Sequence, residues 1–344
     1  MMLKIFMLVL ITVITGCSAY IDDFYVDYDG TGSSDDTADE TDSSTDTNSE
    51  SSNSTDDSGN TGDTGSDNLP DFNCDTIVSP VSGVDISFCS VEGGSFNMGC
   101  DESVDSGCYN DELPLHSVSI SPFLMARLEV TNSQYEAFVT ANPLWAAGGI
   151  SADSSCNYNY LANWVGGLPK SGEDDYPVVG VCYDAAVAFC KWAGTAFDLP
   201  TQAQWEAAAR KRDAQYALYP NGNDITCGAA NFEGCAGSLQ PVGISTGLSP
   251  YGVADMSGNA MEWTKDQYVA DYYCDPEGSG SYVYPDCNTA YDWTDPVCEQ
   301  QITMRTVKGG SYFHPLDMMR VAKRTGLEPS SSSNLLGFRC VKNL

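Results

Sequence analysis

Two histidines, fourteen cysteines and a cluster of oxygen donors near residue 260 are the groups in this chain whose types could do chemistry. His314 is followed by Met318 and Met319, and an imidazole with thioethers is a donor set that copper(I) accepts. The same residues also suit a plainer role, because methionines fill irregular gaps in cores or grooves and His314 can hydrogen-bond a neighbour. Gly258-Asn259-Ala260-Met261-Glu262 reads as a tight turn that aims backbone carbonyls and a carboxylate at one point. Hard oxygen donors of that kind suit calcium; the plainer alternative is a turn in which Glu262 makes a salt bridge. Zinc is not indicated, since there is no Cys-x-x-Cys and the two histidines, His116 and His314, lie far apart.

The elements that must position these groups are short. Gly94–Gly99 and His116–Ile120 read as strands. Thr131 or Asn132 caps a helix with Tyr135, Phe138 and Val139 on one face. Asp184–Ala193 is a second helix that buries Ala185, Phe189 and Trp192, and Thr201 opens a third, its Gln204 completing a capping box with Pro200 outside. Beyond residue 211 Gly, Asn, Pro and Tyr dominate, which implies long ordered loops. The class expected is α+β, rich in irregular structure and held by disulfides.

Residues 1–17 carry one lysine, an apolar run and Ile14-Thr15-Gly16-Cys17, the pattern of a lipoprotein signal peptide whose cysteine takes the lipid. The run is too short and too poorly flanked for a permanent membrane span. Residues 18–73 hold sixteen acidic residues from position 21 onward, and no Lys or Arg falls between Lys4 and Arg127. Such a segment cannot bury enough apolar surface to offset its chain entropy, so a disordered acidic tether is expected. The formal net charge of −33 argues against nucleic acid as a partner.

Residues 74–344 form the expected folded domain, and with Cys17 set aside they contain all the other cysteines. That density in an exported chain means disulfides. Cys100–Cys108, Cys156–Cys182 and Cys227–Cys235 are local pairs, Cys74–Cys89 is a weaker one, and Cys274, Cys287 and Cys298 are left open. The count is odd, so at least one thiol is free or paired elsewhere.

Blocks in order across 88–344 resemble the formylglycine-generating enzyme, or sulfatase-modifying factor, family. They are Val91-Glu92-Gly93-Gly94-Ser95-Phe96-Asn97-Met98-Gly99, then Asp111 to Val118, then Glu129-Val130-Thr131-Asn132-Ser133-Gln134-Tyr135. There follow Ala188 to Gly194, Leu199-Pro200-Thr201-Gln202-Ala203-Gln204-Trp205-Glu206, Gly258 to Thr264, Lys308-Gly309-Gly310-Ser311-Tyr312 and Gly337-Phe338-Arg339-Cys340. The resemblance implies a loop-rich fold related to the C-type lectin fold. It implies calcium on Asp255, Gly258, Ala260 and Glu262, a second calcium site beginning at Asn231 and Phe232, and a Cys190–Cys340 disulfide. The later acidic ligand of that second site is missing, with Gly234 near its place.

The resemblance also implies two copper(I) cysteines just after the Gly309–Tyr312 block, yet there is no cysteine between 298 and 340. His314 stands where the first belongs, and Met319 or the neighbourhood of Leu316 where the second does. Neither the family's chemistry nor copper is therefore expected. The expectation is a cell-envelope lipoprotein, anchored in the outer membrane on its periplasmic face or at the cell surface. Its domain is a non-catalytic binding or structural module for a protein or glycan. The alternative is a copper- or iron-dependent oxidase or protein-modifying enzyme; an iron-binding histidine set is missing from the two histidines present.

Overall fold

The computed structural model describes residues 72–344, apart from 211–215, 282–285, 289 and 301–302. The signal segment with Cys17 and the tether up to residue 71 lie outside the described residues. Among the described residues no helix is long and apolar enough to cross a membrane.

Five strands, β1 (Thr76–Val81), β2 (Val84–Val91), β5 (Phe123–Ala126), β11 (Val341–Asn343) and β6 (Phe197–Asp198), form one sheet in that spatial order. Phe123-Leu124-Met125-Ala126 is apolar at every position and buried at every position, as expected of a strand covered on both faces. Leu124 and Ala126 pack with Ile86 and Phe88 into one core, under helices α1 (Asn132–Ala141) and α3 (Tyr183–Trp192). Phe123 and Met125 pack with Cys89 and Val91 into a second core, against α4 (Gln202–Arg210). A second sheet has β10 (Leu336–Gly337), β7 (Met261–Gln267), β8 (Arg305–Lys308) and β9 (Thr325–Leu327) side by side, and β3 (Gly94–Met98) pairs with β4 (His116–Ile120). A short helix, α2 (Ile150–Ser155), precedes α3.

Helix starts follow local chemistry. Thr131 caps α1, accepting from the Gln134 backbone at 3.3 Å while Gln134 Oε1 accepts from the Thr131 N–H at 3.0 Å. Thr201 and Gln204 repeat the exchange at α4, at 3.0 Å in each direction. The expected second helix begins one residue early, at Tyr183. Trp192 is half-buried rather than buried, because it sits at the last turn and meets Phe138 and Phe189 at a tilt on one side only. The strand expected over Gly94–Gly99 stops at Met98, since Gly99 has φ +100° and turns the chain away.

The disulfides are Cys74–Cys89, Cys100–Cys108, Cys156–Cys182, Cys190–Cys340, Cys227–Cys235 and Cys274–Cys287, and Cys298 is a buried free thiol. The Cys190–Cys340 bridge ties α3 to the strand end beside β11 at the back of an aromatic cluster of Tyr135, Phe138, Phe189 and Phe338.

Candidate functional site

The turn before β7 is built from left-handed backbone: Asp255, Gly258 and Asn259 have φ of 56°, 82° and 59°. Gly258 is required here, because a Cβ would lie 2.1 Å from the Asn231 carbonyl oxygen. The close approach lets the Asn259 N–H donate to that carbonyl at 2.7 Å and the Gly258 N–H donate to the Gly309 carbonyl at 2.8 Å. Three regions singled out in the sequence, around Asn231, 255–262 and 309–312, are thus brought together.

Glu129, from the end of the segment leading into α1, reaches the same place. Its Oε2 accepts from Asn259 Nδ2 at 2.7 Å and its Oε1 from the Ala260 N–H at 3.0 Å. Glu262 accepts from Trp205 Nε1 at 2.8 Å and from Arg339 Nε and Nη2 at 2.7 and 2.6 Å. Asp255 Oδ2 accepts from the Gly243 N–H at 2.5 Å. Glu129, Asp255, Glu262 and Arg339 are all buried, so three carboxylates share one guanidinium. Burial, followed by the charges of Asp255 and Glu262, drives the Glu129 carboxyl well above the ordinary carboxylate range. Burial also raises Asp255, against the opposing Gly243 and Ser245 hydrogen bonds. Glu129 and Arg339 were visible in the sequence only as members of blocks; nothing local marks them as partners.

Of the second expected calcium set, Asn231 is spent on structure. Its carbonyl takes the Asn259 N–H and its Nδ2 donates to the Ser238 carbonyl at 2.9 Å and to Asn259 Oδ1 at 3.2 Å. The Phe232 carbonyl accepts from the Cys235 N–H at 3.0 Å, closing the Cys227–Cys235 loop. Gly234, with φ 85°, offers no side-chain oxygen near where a further ligand was sought.

On the other side of Gly309 and Gly310 lies the segment that carries His314, Met318 and Met319. Met319 is buried, and a Cβ on Gly310 would lie 2.2 Å from its Cε. Met318 is half-buried beside it. His314 Nδ1 lies 2.7 Å from Ser311 Oγ, and the His314 carbonyl accepts from the Glu233 N–H at 3.0 Å. Burial lowers the His314 imidazole, with Asp317 opposing. Beneath the segment Lys308 Nζ donates to Glu206 Oε2 at 3.0 Å and to the Val321 carbonyl at 2.7 Å, while Arg210 pairs with the other oxygen of Glu206. Burial alone would raise the Glu206 carboxyl, but Arg210 and Lys308 outweigh it and hold it low. His116 is not part of this region: its ring packs at a tilt against Tyr273 and Trp293, and burial pulls its imidazole down to about 4.

A family model described as "Sulfatase-modifying factor enzyme 1-like domain" matches residues 84–344. The chain is 28% identical to a formylglycine-generating enzyme of Thermomonospora curvata, covering 79% of this chain and 98% of that one. It is 26% identical to an "Inactive C-alpha-formylglycine-generating enzyme 2" of Bos taurus, over 75% of this chain and 89% of the relative. A serine/threonine-protein kinase Pkn1 of Chlamydia trachomatis is 29% identical over 74% of this chain, but the match spans only 38% of that relative. Among solved structures, PvdO from Pseudomonas aeruginosa superposes with a TM-score of 0.60 at 22% identity, covering 79% of this chain and 99% of that one.

Proposed function

The chain belongs to the family of sulfatase-modifying factor enzyme 1-like domains, with the loop-rich fold related to C-type lectins, and we propose that it serves there as a non-catalytic binding or structural module on a lipid anchor. One observation supports this most: residues 313–324, after Gly309-Gly310-Ser311-Tyr312, contain no thiol. Met319 is buried with its Cε against Gly310, and His314 Nδ1 is held on Ser311. Copper(I) held for reaction with O₂ needs anionic, soft donors, and a neutral imidazole with thioethers donates less electron density. The printed name of the Bos taurus relative, "Inactive", fits the same reading. The kinase activity named for Pkn1 is not carried over. Incubated with a Cys-x-Pro-x-Arg peptide, with or without copper, the protein should yield no formylglycine by mass spectrometry. Turnover clearly above a His314→Ala control would overturn this reading and favour the copper- or iron-dependent oxidase alternative.

The anchor reading rests on Ile14-Thr15-Gly16-Cys17 and the acidic segment behind it. A cell-envelope lipoprotein, on the outer membrane and facing a protein or glycan partner, follows from it. Cys17→Ser should leave an unlipidated precursor that no longer partitions with membranes in a detergent phase separation; unchanged partitioning rejects the anchor.

Calcium fits the charge of the turn better than its geometry. Asp255, Glu262 and the carbonyls of Gly258 and Ala260 would hold it, and it would supply positive charge where Glu129, Asp255 and Glu262 share Arg339. Both oxygens of Glu262 already accept from Arg339 or Trp205, however, so Asp255 is the cleaner probe. A ligand at a hundred times its dissociation constant adds about 2.7 kcal/mol. Chelation should lower the melting temperature of wild type by roughly 5–10 °C and leave Asp255→Asn nearly unmoved. Equal sensitivity in both proteins rejects calcium here.

A further inference from the structure

The loop between β3 and β4 gathers donors that take no part in the turn at 255–262 or the segment after Gly310. Cys100, Asp105 and Cys108 place their sulfur and carboxylate atoms within 4.8 Å of one another. The loop is firmly set. The Val104 and Asp105 N–H groups donate to the Asp101 carbonyl at 2.9 and 2.8 Å, the Gly107 N–H donates to Asp105 Oδ1 at 2.8 Å, and the Cys100 N–H donates to the Glu112 carbonyl at 2.9 Å. Arg320, arriving from the segment after Met319, clamps it: its Nη1 lies 2.9 Å from Asp105 Oδ2, 2.7 Å from Glu112 Oε2 and 3.7 Å from Cys100 Sγ.

The two sulfurs are joined as a disulfide. If it opens, the reduced pair does not suit a free thiolate, because Asp105 Oδ2 lies only 3.3 Å from Cys100 Sγ. Among the described residues Arg320 is the cation paired here, and Asp105 and Glu112 already overcompensate it. Two thiolates added to that group leave a local charge of about −3, which a divalent ion reduces further than a monovalent one. Tetrahedral zinc-class ions with bonds of roughly 2.0–2.3 Å set their ligands roughly 3.3–3.8 Å apart. Opening the S–S bond to that spacing needs a shift of under about 2 Å, and half-buried Cys108 leaves a side for water as fourth ligand.

We propose that the 100–108 loop is a thiol-gated metal site, in which Cys100, Cys108 and Asp105 bind one zinc-class divalent cation once their disulfide is reduced. A dithiol supplies two electrons and two protons to the Cys100–Cys108 bond and itself becomes a disulfide. The metal then displaces the two thiol protons, forming two metal–sulfur bonds, with Asp105 as third ligand.

The test uses cobalt(II) on the full chain, after graded reduction with the reductant removed under anaerobic conditions. Differential alkylation and mass spectrometry identify which pairs are open, and near-ultraviolet circular dichroism confirms the fold. One equivalent of cobalt should bind with thiolate-to-metal charge-transfer absorption, and zinc should displace it. The absorption should vanish in the folded Cys100→Ser/Cys108→Ser variant, and Asp105→Asn, which keeps both thiols, should bind at least tenfold more weakly. The proposal fails if the absorption survives in the serine variant, if Asp105→Asn binds as well as wild type, or if reduced wild type binds no cobalt at millimolar concentration. It fails equally if the pair never opens before the native dichroism is lost.

Discussion

Arg339→Met is expected to destabilise the domain by about 3–5 kcal/mol or more, read from the midpoint of denaturant unfolding. Arg339 spends all its donors inside the protein. Two go to Glu262, and others reach the carbonyls of Ala126 and Arg127 at 3.2 Å and of Ala254 at 2.9 Å. Methionine fills much of the volume but leaves Glu129, Asp255 and Glu262 buried without a cation. It also removes a donor from the carbonyls of Ala126, Arg127 and Ala254, of which Arg127 keeps the Ala254 N–H at 2.9 Å; a buried acceptor left unsatisfied costs on the order of 1–3 kcal/mol. Arg339→Lys should recover only part of the loss, because a point charge cannot span Glu262 and the carbonyls together.

The effect carries a pH signature. Without the guanidinium, the carboxylates can be accommodated only by protonation, so their folded-state pKa rises above the unfolded value near 4. A group with a raised folded pKa contributes stability below its unfolded pKa and loses it as pH rises through the folded one. The gap between Arg339→Met and wild type should therefore narrow as pH falls towards 4. A loss under about 1 kcal/mol, or a gap independent of pH, would show that Arg339 is not what balances this cluster.

What could be read in advance divides along the range of the interactions involved. The starts of α1 and α4 were legible because a capping box is complete within four residues, Thr131 to Gln134 and Thr201 to Gln204. Local disulfides such as Cys227–Cys235 are legible for the same reason. Strands β6, β10 and β11, of two or three residues, are too short to show a period and exist only because neighbours offer edges: β7 to β10, β5 to β11, and β11 in turn to β6. β2 buries the adjacent Phe88 and Cys89 in different cores, which breaks the alternation of a half-buried strand, and it carries no turn signal beyond Ser82-Gly83 to set it apart from the loops. In the site, the turn at 255–262 was visible from its Gly-Asn-Ala sequence. Its ion pair was not, because nothing in Glu262 or Arg339 alone says which carboxylate a guanidinium will choose. The sequence therefore offered calcium and a salt bridge as alternatives, and the fold places Arg339 on Glu262.

Cys190→Ala/Cys340→Ala is expected to lower stability by about 4–5 kcal/mol in the chain-entropy model. The bridge spans a sequence separation of 150, and the shorter bridges inside that loop, Cys227–Cys235 and Cys274–Cys287, reduce the freedom released only in part. On the folded side both cysteines are fully buried, next to Phe189 and near Phe338, so two alanines also remove packing from the aromatic cluster. Cys227→Ala/Cys235→Ala is the matched control. It opens a separation of 8, worth about 2.5 kcal/mol in the same model, and lies at the surface where little packing is lost. At 2–4 °C per kcal/mol for a domain of this size, the long bridge should cost roughly 10–15 °C in melting temperature and the short one roughly 5–10 °C. Equal shifts would mean that the unfolded chain is not constrained in proportion to loop length. A larger shift for the short bridge would mean that the loop at Asn231–Cys235, which buttresses Gly258 through the Asn231 carbonyl, supports the turn more strongly than the aromatic core supports the sheet.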